Sequence, residues 1–306
     1  FSRDLQQKKV LVLGAGVTGL ASARALISRD AQVTIVDDTV TLDSEFSILK
    51  PAAIKVSDFD FLLISPGWKE SHPLIQQAQA AQITLLNEID LAWAIKEERS
   101  PGQKWLALTG TNGKTTTVEM TAAALRAGGV HAVACGNVGK TVIECVDSAE
   151  SYDVLVLELS SFQLHWLERA EFVASAILNI ADDHTDWHGS FEAYAQAKFS
   201  ILDRADIAIL NADYTMYKIK SLCSHKQVIE LPRSPTEMVM DEELEENNER
   251  QWDTIGNTKI PRYMLELQLV KLPKQAFVEA VHHALSKKPH LVEANLAVLE
   301  AGALWA

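Results

Sequence analysis

Residues Gly110-Thr111-Asn112-Gly113-Lys114-Thr115-Thr116 stand between an apolar run, Trp105-Leu106-Ala107-Leu108-Thr109, and a helical stretch that begins at Thr115. A strand that turns through glycines into a helix aims several backbone N–H groups and the positive end of the helix dipole at one point, which suits an anion. Gly110 and Gly113 permit the tight turn. Lys114 supplies a charge for the β- and γ-phosphates of a nucleotide, and the Thr115 hydroxyl is placed to ligate Mg²⁺. Leu108 occupies the position, five before Gly113, where the full phosphate-loop pattern has glycine, so this is a shortened form of that loop. Such a unit needs neighbouring parallel strands. Val154–Leu159, Ala174–Ile180 and Ile207–Asn211 provide apolar runs that suit strands of a sheet covered on both faces.

A second glycine turn lies upstream. Lys9–Leu13 leads into Gly14-Ala15-Gly16-Val17-Thr18-Gly19, Leu20–Ser28 has helical apolar spacing, and Gln32–Asp37 reads as a strand ending in an acid. Strand, glycine turn, helix and acid-ended strand form a nucleotide-binding βαβ unit, whose default ligand is NAD or FAD, though a single nucleotide fits as well. Asp60–Gly67 reads as a further strand stopped by Pro66 and Gly67. The charged, then Pro- and Gly-containing stretch Glu97–Gly102 marks a boundary. The expected architecture is α/β: an N-terminal Rossmann-like domain over 1–98, then a central ATPase-type domain with a phosphate loop and a mostly parallel sheet over 99–306. Between Tyr214 and Pro289 the pattern weakens and no elements are assigned, except that Phe277–Ser286 has helical spacing; Val292–Trp305 reads as a last helix.

Length and charge agree with two domains whose ligands are small. At 306 residues the chain exceeds one typical domain, and 47% hydrophobic residues suffice for buried cores. A formal charge of −13 repels nucleic acid and anionic membranes, so local donors must overcome that field at any phosphate site. Part of the charge is the run Asp241–Glu246, which reads as a solvated loop. No apolar run is long enough to span a bilayer. Cys135, Cys145 and Cys223 have neither pairing arithmetic nor zinc spacing, and a reducing cytoplasm is the expected setting.

Several ordered motifs carry a family resemblance from about Lys9 to about Asp213. The loop Gly110–Thr115 resembles that of the Mur ligases and the related folylpolyglutamate synthetases. Glu158-Leu159-Ser160-Ser161-Phe162-Gln163-Leu164 and Asn179-Ile180-Ala181-Asp182-Asp183-His184-Thr185-Asp186 resemble two further segments of the family, and Gly136-Asn137-Val138-Gly139 and Ala197-Lys198 fall at family spacing. The N-terminal glycine turn, and Asn112 where the L-alanine-adding member usually has His, direct the resemblance to the D-glutamate-adding step.

The resemblance implies ATP-dependent ligation of D-glutamate to UDP-N-acetylmuramoyl-L-alanine, in peptidoglycan precursor synthesis, through an acyl phosphate. It implies ATP contacts along Gly110, Thr111, Asn112, Gly113, Lys114, Thr115 and Thr116. It also implies two Mg²⁺ ions, one held by Thr115 and Glu158 and a second involving His184 and a carbamylated Lys198. Lys114, His184 and Lys198 are the expected catalytic residues. Val17, Thr18 and Asp37 are expected near uridine, Pro66 and Gly67 near the diphosphate, and Asn137 and Gln163 near the muramoyl-alanine end. Pro289–Asn295 resembles the family's His-Asn-x-x-Asn segment without its first Asn, which implies an adenine-side role for Asn295. A monomer is expected, without nucleic-acid or membrane partners.

The resembled enzymes carry a third, C-terminal domain that helps bind ATP and D-glutamate, and no residues follow Ala306 to supply it. The chain is therefore expected to be an incomplete catalytic core that binds nucleotides but turns over poorly. The alternatives are a nucleotide-binding regulatory or partner-binding module and, on the N-terminal turn alone, a nicotinamide-dependent oxidoreductase.

Overall fold

The computed structural model describes residues 5–39, 46–211, 227–231 and 274–284, and positions 286, 289, 292, 293 and 296. The chain divides into two compact units. The first takes in the chain up to Gly102, with Lys140–Ser151 and Phe162–Ala170; the second takes in Gln103–Gly139, Tyr152–Ser161 and the chain from Glu171 onward. The two later segments in the first unit lie well beyond the charged, glycine-ended stretch that reads as a boundary in the sequence.

The first unit is a five-stranded parallel sheet in the order β3-β2-β1-β4-β5, from β1 (Lys9–Leu13), β2 (Gln32–Val36), β3 (Ile48–Leu49), β4 (Phe61–Ile64) and β5 (Thr84–Asn87). Val10 to Leu13 of the middle strand are fully buried, as a strand covered on both faces must be. Helices α1 (Val17–Ile27), α2 (Pro73–Ala80) and α3 (Glu88–Arg99) complete the crossovers. α1 starts three residues before the apolar spacing does, because Val17 is 71% exposed and contributes nothing to the buried face. The strand order reverses between β1 and β4, and a doubly wound sheet opens its ligand crevice at the carboxyl end of such a reversal.

In the second unit β6 (Lys104–Thr109), β7 (Ala132–Gly136), β8 (Val154–Glu158), β9 (Phe172–Ile177), β10 (Ala205–Asn211) and β11 (Gln227–Leu231) make a parallel sheet in the order β11-β10-β9-β6-β8-β7. β6 is flanked by β8 and β9, with Leu108 level with Glu158 and Thr109 level with Ile177. That register brings the ends of three strands to one edge, beneath the start of α4 (Lys114–Ala127). Leu106, Leu108, Val118, Leu125 and Val156 form the core between α4 and the sheet. Short strands β5 and β7 give weak sequence signals: Thr84-Leu85-Leu86-Asn87 has four residues, and Ala132-Val133-Ala134-Cys135-Gly136 contains one β-branched side chain.

Of the helices, α5 (Val142–Asp147) belongs to the first unit, while α6 (Ser161–His165), α7 (Thr185–His188), α8 (Phe191–Phe199) and α9 (Lys274–Ala284) follow in chain order. α9 begins three residues before the predicted Phe277. Met120 of α4 packs with Val281 of α9 and with Val292. No described helix is long and apolar enough to cross a membrane. The acidic run Asp241–Glu246 and nearly all of Val292–Trp305 lie outside the described residues.

Two carboxylates at the start of α3 hold the later segments to the first unit. Glu88, 2% exposed, accepts the Ile143 N–H of α5 at 2.6 Å. Asp90, 3% exposed, accepts the backbone N–H groups of Glu168, Arg169 and Ala170 at 2.8–2.9 Å. Asn87 donates to Asp90 and to the Trp166 carbonyl. Arg29 and Arg99 both reach Asp147 of α5 at 2.7 Å. Buried N–H groups require acceptors, and a carboxylate is a strong one.

Candidate active site

The phosphate loop emerges from the end of β6. Gly113 has φ +78°, a left-handed conformation that side-chain-bearing residues rarely adopt, and it caps α4 at Lys114. The first turn of any helix leaves N–H groups without intrahelical partners, so the loop and helix start form an anion-binding nest. Lys114 lies along this loop, with Nζ donating to the Gly110 carbonyl at 2.9 Å and the Thr111 carbonyl at 2.7 Å.

At the second residue of α4, Thr115 Oγ1 donates to Glu158 Oε2 at 2.8 Å. Glu158 ends β8 and is 2% exposed. Its other oxygen accepts Asn137 Nδ2 at 3.0 Å, and its carbonyl accepts the Asn137 N–H at 2.9 Å. Asn137 thus grips both the backbone and the side chain of Glu158. Adjacent ligands of an octahedral Mg²⁺ with bonds of 2.0–2.1 Å lie about 2.9 Å apart, so the Thr115–Glu158 oxygens have the chemistry and separation that this ion takes. Among the described residues no three His, Cys, Asp or Glu side chains converge as a metal site.

Lys198 of α8 is also buried, at 2% exposure, where sequence alone reads a surface helix lysine. Its Nζ donates to the Gly110 carbonyl at 2.8 Å and to Thr109 Oγ1 at 3.2 Å, and lies 4.8 Å from the centre of the Tyr194 ring. Burial, reinforced by the nearby charge of Lys114 and opposed by Asp183 and Glu158, pushes its pKa down to about 7. His184 has φ +50° at the start of α7 and is about half exposed; its Nε2 lies 3.4 Å from Asp183 Oδ2. Its ring stands edge-on to Tyr194 at 6.3 Å. Lys198 and His184 therefore share one aromatic neighbour.

In the first unit the expected substrate residues collect at the carboxyl edge of the sheet. Val17 and Thr18 open α1, Asp37 follows β2, and Pro66 and Gly67 follow β4. Asp37 Oδ2 accepts the Ala15 N–H at 2.8 Å and Oδ1 accepts the Thr39 N–H at 2.9 Å, so the acid also closes the glycine turn. Gln163, 6% exposed, falls in the first unit, whereas Asn137 falls in the second. Trp166 Nε1 donates to the Trp68 carbonyl at 3.1 Å, fastening the segment that carries Gln163 beside the turn that carries Pro66 and Gly67. Asn295 lies outside the described residues.

Comparison with protein families gives two matches in the order of the two units. The Mur ligase MurD-like N-terminal domain matches residues 8–87, and the Mur ligase middle domain matches residues 108–270, more than half of the chain. The chain belongs to the Mur ligase family.

Curated relatives include three proteins named UDP-N-acetylmuramoylalanine--D-glutamate ligase. That of Thermobifida fusca is 42% identical over 223 residues, covering 68% of this chain and 47% of the relative. That of Mycolicibacterium vanbaalenii is 44% identical over 198 residues, covering 62% and 41% respectively. That of Streptomyces coelicolor is 40% identical over 218 residues, covering 67% and 46%. This Mur ligase chain spans about half the length of the curated relatives it matches.

Sequence reasoning gave Tyr194 and Thr109 no role in this Mur ligase site, although both touch Lys198. An aromatic residue and a threonine on apolar elements read as core, and only the burial of Lys198 against them reveals their position. Asn179 appears in the motif that carries the resemblance, but its contacts with the phosphate loop are visible only in three dimensions.

Proposed function

We propose that this chain is the nucleotide- and substrate-binding core of an ATP-dependent ligase that joins D-glutamate to UDP-N-acetylmuramoyl-L-alanine. The observation that carries the reading is the Thr115–Glu158 pair beside the phosphate loop: a phosphate nest with hard oxygen donors at its edge suits Mg²⁺–ATP. The names of the 40–44% identical relatives support the choice of substrates.

The reaction has two steps. A carboxylate oxygen of the alanyl end attacks the γ-phosphorus, and ADP leaves. The D-glutamate nitrogen then attacks the carbonyl carbon, loses a proton, and expels phosphate together with the attacking carboxylate oxygen. Transfer between anions needs positioning and neutralisation of charge more than covalent help. Lys114 and the first turn of α4 neutralise the phosphates. Thr115 and Glu158 would hold one Mg²⁺, with Asn137 fixing the Glu158 rotamer. His184, through a neutral ring nitrogen, and Lys198 would contribute to a second ion. The chemistry that Mg²⁺ supplies when bound is further neutralisation of the phosphoryl oxygens.

Lys198 acts here as a carbamate: its neutral amine adds to the carbon of CO₂ and one proton leaves, turning a buried cation into an anionic oxygen ligand. Burial that disfavours the ammonium supports this step, and the carbamate nitrogen keeps one N–H for the Gly110 carbonyl. Val17, Thr18, Asp37, Pro66 and Gly67 bind the UDP part, Asn137 and Gln163 the muramoyl-alanine end, and Asn295 the adenine side. The protein works as a cytoplasmic monomer.

The test uses the whole protein with ATP, D-glutamate and substrate labelled with ¹⁸O in the alanyl carboxylate. The expected result is ADP release that requires both co-substrates, with one ¹⁸O appearing in phosphate. ADP release without the UDP-substrate, or phosphate free of label, would overturn the reading.

A further inference from the structure

Asn179 is bonded to the phosphate loop on three sides. Its Oδ1 accepts the N–H of Thr111 at 3.0 Å and the N–H of Asn112 at 2.9 Å, while its Nδ2 donates to the Asn112 carbonyl at 3.1 Å. The side-chain amide therefore pairs with the Asn112 backbone as a strand neighbour would, engaging donor and acceptor together. The backbone continues the same seam, since the Thr111 N–H also reaches the Asn179 carbonyl at 3.0 Å, and the Ala181 N–H reaches Thr111 Oγ1 at 2.9 Å. Close approach is possible because residue 110 is glycine: a Cβ there would lie 3.0 Å from Leu178 Cβ and 3.4 Å from the Asn179 nitrogen.

This arrangement divides the loop. The N–H groups of Thr111 and Asn112 point at Asn179, which leaves the anion to the part from Gly113 into the first turn of α4. The same segment runs on from Asn179 through Ala181 and Asp183 to His184. One side chain thus joins the loop that cradles phosphate to the residues expected to handle the transferred group. Only Asn satisfies this geometry at its length, because an Asp carboxylate cannot donate to the Asn112 carbonyl and adds negative charge beside the phosphates.

We propose that Asn179 is a positioning residue that presets the phosphate loop for the β- and γ-phosphates. The inference rests on the reading of this loop as a nucleotide site. Nucleotides that differ only in phosphate number separate a loop effect from general damage, because AMP makes no use of a β/γ nest. In the whole protein, affinities for AMP, ADP and a non-hydrolysable ATP analogue are measured for wild type, Asn179→Ala and Asn179→Asp, with thermal unfolding and UDP-substrate affinity recorded beside them.

The expected result is a loss of about tenfold or more for ADP and the ATP analogue, larger in Asn179→Asp than in Asn179→Ala, with AMP and UDP-substrate affinities within about twofold of wild type. In turnover, the KM for ATP rises while the KM for D-glutamate does not. Equal weakening of all three nucleotides, or unchanged ADP binding in both variants, would overturn the inference while leaving the nucleotide site intact. A wild-type protein that binds neither ADP nor the ATP analogue would overturn the nucleotide reading, and this inference with it.

Discussion

The ammonium groups of Lys114 and Lys198 converge on one acceptor, the Gly110 carbonyl oxygen, at 2.9 and 2.8 Å. One comes from the start of the helix after the loop, the other from α8, more than eighty residues later. Burial of the Lys198 amine, and after it the like charge of Lys114 on the same oxygen, push its pKa down to about 7. Removing the Lys114 charge in Lys114→Met is therefore expected to raise the Lys198 pKa towards the ordinary value. The check is an NMR titration of the labelled lysine Nζ. With ¹³C-bicarbonate, the same variant should show less carbamate signal at pH 7 than wild type.

Asn137 fixes the Glu158 carboxylate through Nδ2 while its N–H holds the Glu158 carbonyl. Asn137→Ala removes only the first of these contacts. Loss of a residue that orients a metal-binding carboxylate typically costs about 10–100-fold in metal affinity or activity. The Mg²⁺ concentration needed for half-maximal ADP formation should rise by that order, a shift that a role confined to sugar contacts would not produce.

Glu88 is fully buried, and desolvation raises its pKa from 4.5 to about 7 against the opposing pull of the Ile143 N–H. The native state therefore holds a proton that the unfolded state releases between those values. The contribution is present below pH 4.5 and is lost as pH rises through about 7. Glu88→Gln keeps an acceptor for Ile143 and cannot ionise. Relative to wild type it should be nearly neutral in stability at pH 4.5 and more stable by roughly 3 kcal/mol above pH 7, measured by denaturant unfolding across the pH range.

Asp90→Ala leaves the N–H groups of Glu168, Arg169 and Ala170 without their side-chain acceptor. Losses of this kind cost about 1–3 kcal/mol per buried group, partly recovered by water at the two less buried positions. A stability loss of about 2–4 kcal/mol is expected. Protease cleavage should appear first within residues 162–170 and not in α4; cleavage spread evenly over the chain would count against the anchoring role.

The central strands of both sheets were legible in the sequence because they are continuous apolar runs, whereas β3, β5, β7 and β11, short or poor in β-branched residues, were not. The glycine turn that sets Lys114 and Thr115 at the start of a helix was legible for a related reason, whereas Glu158, which meets Thr115, was singled out only with the help of the resemblance. The membership of residues 140–151 and 162–170 in the first unit was not. Its cause is two acids at the start of a helix, where Glu88 and Asp90 also serve as ordinary first-turn residues, and their partners lie 55 and 78–80 positions away. Lys198 was assigned to the site by resemblance alone, since nothing in Ala195-Gln196-Ala197-Lys198 signals that the amine is buried.

The anchoring of the later segments also bears on how the molecule is made. A ribosome delivers Asp90 long before its three donors, which follow 78–80 residues behind, with most of the phosphate-loop unit's central strands in between. The nascent N-terminal sheet must therefore wait, with Asn87 the one donor to the Asp90 carboxylate named above that is already made, until synthesis has reached residue 170. At about 5–20 residues per second that interval lasts some seconds. The first unit to be translated is therefore closed only after β6, β7 and β8 of the second have been made, and a fragment ending at Gly102 should carry the sheet without its closure.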